Sequence, residues 1–219
     1  MGGANHFSKA LPMRCQTLLD ELYQEQLPKA PDSDYRLRAT FLLSVAMPMV
    51  IFPMERIYKF SDGTQSGHLN DAPLDQTLAD NLKAELSKSA EESQFFDRGK
   101  WAFHRHDMTV CGKLSLATGL PLEIASKLSE PEADALDTGC TAENLLKIIR
   151  NSLAHGSVMF LDEHGKSVEA GPVTKLAFVS TDMKGEKDYR FLRVGMADFR
   201  EFLQRWAKWL QTSGVEEAL

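Results

Sequence analysis

Within "KIIRNSLAHGSV", residues 147–158, stand the side chains of this 219-residue chain best suited to chemistry: Arg150, Asn151 and His155. A histidine can give and take a proton near neutral pH. An arginine carries a permanent charge on a planar fork of donors, and an asparagine offers a donor and an acceptor together. Two readings of the stretch are open. It is the end of a helix with an incidental histidine, or it is the reactive face of an enzyme.

The spacing decides which of these side chains can meet. On a helical wheel, at about 100° per residue, the span 142–155 separates into two arcs. One holds Ala142, Leu145, Leu146, Ile148, Ile149, Ser152 and Leu153, a core face. The other holds Glu143, Lys147, Arg150, Asn151, Ala154 and His155, a polar strip. Asn151 and His155 lie one turn apart on it and can touch. Arg150 and His155 point apart, so Arg150 must extend its long side chain to share a ligand with His155. Thr141 is the expected N-cap. Gly156 suits the left-handed position that ends a helix, which puts His155 in the last turn, near the negative end of the helix dipole.

The elements around this helix follow from pattern. Residues 13–26 and a long apolar stretch from Asp34 toward Phe60 read as two helices, the second bent near Pro48 and Pro53. The most apolar run, 39–54, is shorter than the roughly 20 residues that span a bilayer and reads as a buried core helix. Leu74, Leu78, Leu82 and Leu86 repeat every four residues and predict a third helix. The segment 91–113, aromatic and charged without a clear period, is expected to be partly helical. A short helix over 121–129 and an acidic connector precede Thr141. After Gly156, "SVMFL", "VTKLAFVST" and "YRFLRV" predict three antiparallel strands. An amphipathic helix closes the chain, with Phe199, Leu203, Trp206 and Leu210 on one stripe that reads as core or as a dimer interface; Trp209, beside it, favours the interface slightly. The expected architecture is mainly α: one domain over 1–219, a helical bundle with a small three-stranded β insertion at 157–195 before the last helix.

Composition narrows the function. A net charge of −6 excludes a protein that coats DNA or anionic membrane by bulk attraction. Three widely spaced cysteines, Cys15, Cys111 and Cys140, form no metal-binding pattern and read as reduced thiols in the cytosol. Of His104, His106 and Asp107, with Cys111 nearby, the two histidines share a face only on a strand, and no second ligand cluster accompanies them. Arg98, Lys100, Trp101, Phe103 and Arg105 mix basic and aromatic residues as RNA-binding surfaces do, though packing accounts for the aromatics more simply. Glu132, Asp134 and Asp137 read as a solvated connector.

"RNSLAHG" resembles the R-x4-H signature of the HEPN superfamily, through Arg150, Asn151 and His155 with Ala154 and Gly156 in the common style. The late motif helix and the amphipathic helix after it agree with that family's α-helical bundle; the predicted strands depart from it. The resemblance implies a metal-independent endoribonuclease of toxin–antitoxin, phage-defence or RNA-processing type, with no cofactor and no metal. Two copies would form a composite site in a cytoplasmic homodimer, without a membrane and with a cognate antitoxin or regulator as a further partner. Arg150 and His155 would be catalytic, Asn151 would assist, and Lys147 would contact the RNA backbone. Because some members of the superfamily lack nuclease activity, the other expectation is a non-catalytic HEPN-like module that binds a protein or nucleotide.

Overall fold

Helix formation over 142–155 rests on its two ends and its apolar face. In the computed structural model, which describes residues 7–25, 35–59, 69–168, 171–181 and 188–214, this helix runs Ala142–His155. Thr141 Oγ1 accepts the Asn144 N–H at 3.2 Å. Gly156 stops the helix at φ +69°, a conformation costly to any residue with a Cβ. The Ser157 N–H then donates to the Ser152 carbonyl at 2.9 Å. All seven residues of the expected apolar arc are buried.

Seven α-helices and a four-stranded antiparallel sheet make up the described residues. In chain order they are α1 (Phe7–Glu25), α2 (Tyr35–Pro53), α3 (Gln76–Ser87), β1 (Trp101–Asp107), α4 (Met108–Cys111), α5 (Leu122–Lys127), α6 (Ala142–His155), β2 (Val158–Leu161), β3 (Lys175–Thr181), β4 (Asp188–Gly195) and α7 (Met196–Thr212). Mainly α is therefore right, but the strand count is four rather than three. The added strand, β1, comes from the segment expected to be partly helical and lies outside 157–195. It pairs with β4 from Trp101↔Val194 to Asp107↔Asp188, giving the sheet order β1-β4-β3-β2. Its pattern was obscured because charged and aromatic residues alternate irregularly, and pairing with β4 supplies what local propensity does not.

The sheet is covered on both faces, which explains why "KLAFVST" reads as a nearly continuous apolar run. Leu176 and Phe178 of β3, with Leu192 and Val194 of β4, join the main core under α6 and α7. Ala177, Val179 and Phe191 face the other way and pack with Leu120, Ile124 and Leu128 around α5 in a smaller core. Ser152 fixes α6 to β3: its buried hydroxyl lies 2.8 Å from the Ile148 carbonyl and 2.9 Å from the Val179 carbonyl, with one proton to share between them.

Helix α2 is longer than its most apolar run. It continues past Pro53 as a π-helical turn, Met54–Tyr58, and the stretch Leu37–Tyr58 is long and apolar enough to cross a membrane by length and composition. The length inferred from 39–54 is corrected accordingly. Leu42, Ala46, Met49, Val50 and Ile57 are fully buried in the main core. Pro53 has no N–H to give the Met49 carbonyl four residues earlier; the Trp206 indole N–H of α7 donates to that carbonyl at 2.8 Å. Trp209, expected at an interface, is buried within the chain against Phe95, with ring centroids 5.5 Å apart. Leu78, Leu82 and Leu86 are fully buried as the stripe predicts, whereas Leu74 lies in a 3-10 turn and is exposed. Asp34, Phe60 and residues 61–68 of the segment that follows lie outside the described residues.

Asp71 ties three segments together. Its carboxylate accepts from the Ser8 N–H at 3.1 Å, the Ser8 hydroxyl at 2.5 Å and Arg56 at 2.6 Å. Burial pushes this carboxyl up, but the hydrogen bonds from Arg56 and Ser8 outweigh it and hold the group below its ordinary value. A depressed folded value contributes stability that is complete above the unfolded value, about pH 4, and is lost as pH falls through the folded one. Asp71→Asn should cost about 1–3 kcal/mol at pH 7, and urea midpoints of variant and wild type should converge below about pH 4. Trp206→Phe should cost about 1–3 kcal/mol by the same measurement, because the Met49 carbonyl is left buried without that donor.

Candidate functional site

The polar strip of α6 is what remains once the opposite arc is buried, and its residues divide between two environments. Ala154 and His155 are exposed, and Arg150 and Asn151 are half-buried. The His155 side chain makes no hydrogen bond or ion pair among the described residues, so its imidazole is available to a ligand.

Arg150 is held differently. Its guanidinium forms an ion pair with Glu55, carried on the π-helical turn that follows α2, and donates through Nη1 to Asn151 Oδ1 at 2.6 Å. Glu55 also accepts from Lys59 at 2.5 Å, so one carboxylate joins two cations. Burial pulls the Arg150 guanidinium below its ordinary value, although it stays charged. On the strip Asn151 stands between Arg150 and His155, as the helical spacing implies: it is bonded to the first and lines a pocket with the second.

Arginine only donates, so the Asn151 amide must turn its oxygen toward Arg150. Its NH2 group makes no hydrogen bond among the described residues. Asn151 and His155 line one pocket of about 420 Å³ at the end of α6. Gly156, Ser157, Val158 and Met159 form one wall, and Val179, Ser180, Thr181 and Tyr189 of β3 and β4 form another. Arg150 lies outside that wall. Lys147 is one turn earlier on the strip, but pairs with Glu143 and lies 5.8 Å from the Tyr58 ring.

A model of the family described as HEPN pEK499 p136 matches residues 1–217. The chain belongs to the HEPN family. No curated protein and no solved structure matches it. In this HEPN chain the stretch from Arg150 to His155 lies on α6, and the sheet packs on that helix through β3 and β4.

Other candidate residues are placed elsewhere. His104 and His106 do lie on a strand, β1, but the buried His106 makes a 3.0 Å hydrogen bond with the Gly112 carbonyl. Burial, with His106 and Lys127 nearby, lowers the His104 value. Among the described residues no group of three or more His, Cys, Asp or Glu is arranged to hold a metal ion. Cys15 is buried, Cys111 exposed and Cys140 half-buried, all as free thiols. Trp101 packs in the core; Arg98 pairs with Glu91 and Asp137, Lys100 with Asp198 at 2.9 Å, and Arg105 with Asp188. Those basic residues are thus engaged by carboxylates. Asp134 also accepts the Gly99 N–H at 2.6 Å, so the acidic connector pins the turn before β1 as well as meeting solvent.

Sequence reasoning missed Glu55, 95 residues from Arg150. Its signal was an acid directly after an apolar, proline-containing run, in "PMERIY". The pocket residues of β3 and β4 had no signal of their own. Glu55→Gln should cost about 1–2 kcal/mol in urea unfolding, between the values for exposed and buried pairs. Combined with Arg150→Met, the losses should fall short of additivity by at least about 0.5 kcal/mol, the mark of direct coupling.

Proposed function

We propose that this HEPN protein is a metal-independent endoribonuclease whose site is completed when two copies bring their α6 strips together. The observation that supports the reading is the grouping on α6: an exposed His155, an Asn151 that shares its pocket, and an Arg150 bonded to Asn151. Cleavage without a metal uses the RNA 2′-hydroxyl as nucleophile. The 2′ oxygen bonds to phosphorus and its proton passes to one His155. The bond from phosphorus to the 5′ oxygen breaks, and the His155 of the second copy protonates that oxygen.

The products are a 2′,3′-cyclic phosphate and a 5′-hydroxyl. Arg150 stabilises the charge of the phosphorane, where a planar guanidinium fits two oxygens. Asn151 orients His155 or holds a phosphate oxygen, and Lys147 contacts flanking backbone. The protein acts as a cytoplasmic homodimer without a membrane, as a toxin or phage-defence effector under a cognate antitoxin or regulator.

The Glu55 ion pair favours a second reading. A guanidinium already neutralised within its own chain suits a HEPN-like module that binds a protein or nucleotide without cutting RNA. The two readings part in one assay, cleavage of total and structured RNA in excess EDTA with product ends mapped. The nuclease reading expects EDTA-resistant cleavage leaving cyclic phosphates, abolished in a folded His155→Ala protein and reduced about 100-fold or more in Arg150→Ala. Full activity of either variant would sink the mechanism, and no cleavage at concentrations that support dimerisation would select the binding module.

A further inference from the structure

The pocket beside His155 is chemically unlike a phosphate site. Among the described residues its lining includes no Lys, Arg, Asp or Glu. Leu116, Val158, Met159 and Val179 give it an apolar part, and Tyr189 adds an aromatic ring. Ser157, Ser180 and Thr181 bring hydroxyls, and Asn151 an amide. A volume of about 420 Å³ falls within the range of pockets that enclose small organic ligands. An apolar wall, one aromatic ring and a few groups that both donate and accept are what a nucleobase requires: a π face to stack and an edge to hydrogen-bond.

Asn151 sets the boundary of this pocket. Its oxygen faces Arg150, the cation suited to a phosphate, while Asn151 and His155 both line the cavity. The strip therefore has an arginine side and a pocket side, with His155 on the latter. Successive nucleotides present the same pair of chemistries, a phosphate and a base.

We propose that this pocket is a nucleobase subsite, which receives the base of the nucleotide next to the phosphate handled by Arg150 and His155. It rests on the ribonuclease reading for its substrate class. The sheet then has a direct part in recognition. Thr181 and Tyr189 are opposite one another at the end of the β3–β4 ladder, so the last rung supplies both a hydroxyl and a ring. Tyr189 is flanked on the sheet by Phe191 and His106, at 6.2 and 6.5 Å between ring centroids. Base choice is made by β3 and β4, and proton transfer by α6.

The test uses four 2′-O-methyl octanucleotides, one for each base, which bind but cannot be cut because the attacking hydroxyl is blocked. Fluorescence anisotropy with the full chain, wild type and His155→Ala, should show one or two bases preferred. Tyr189→Ala should weaken the preferred oligomer by about 5- to 100-fold, as loss of one stacking platform does, and level the four affinities. Tyr189→Phe, which keeps the ring, should retain both affinity and preference. Thr181→Val, at an exposed position, should change the preference without loss of fold. Equal affinity for all four oligomers in the wild type, no binding of any of them, or a preference untouched in Tyr189→Ala would overturn the subsite. Failure here is separable from failure of the nuclease reading: a base preference that depends on Tyr189 keeps the pocket even if no RNA is cut, and cleavage with no such preference discards the pocket alone.

Discussion

Burial of one face of α6 on two sides at once is the constraint on which the rest of this structure depends. The helix packs against α2 and α3 on one side and against β3 and β4 on the other, and its apolar arc has nowhere else to go. Ser152 adds direction to that packing. Its hydroxyl meets the Val179 carbonyl, so α6 and β3 are joined at a defined height and not merely pressed together. Rotation of α6 by one residue would bury Arg150 or Asn151 and expose a leucine, at a cost of several kcal/mol in desolvation and lost apolar contact. The polar strip faces outward because its alternative is so unfavourable.

Electrostatics then sort the strip. The acidic chain commits many of its cations to carboxylates: Arg98, Lys100, Arg105, Lys147 and Arg205 all make ion pairs. Arg150 does so too, with Glu55, in a part-buried setting where an unpaired charge would be costly. That pairing orients the guanidinium and, through Asn151, the amide beside His155.

The two prolines of α2 show how a backbone defect is absorbed and used. Pro53 withholds an N–H from the Met49 carbonyl, and the Trp206 indole supplies a donor to it. The helix passes into a π-helical turn directly afterwards, and that turn carries Glu55 to Arg150 and Arg56 to Asp71. Two ion pairs that link distant parts of the chain thus start from adjacent residues of one irregular turn.

The sequence by itself determined the motif helix, its Thr141 cap, its Gly156 stop and the separation of its two arcs, because these depend on local geometry with a fixed period. It also determined the three strands after Gly156 and the stripe of α7, whose residues repeat in register with their elements. Tertiary structure alone decided that 101–107 is a strand, since an edge strand with charged residues gains its identity from pairing with β4. It alone brought Glu55 to Arg150 and enclosed Asn151 and His155 in a pocket walled by β3 and β4. Those contacts join residues far apart in the chain, where no spacing rule applies and only the packing of one face against another fixes which side chains meet.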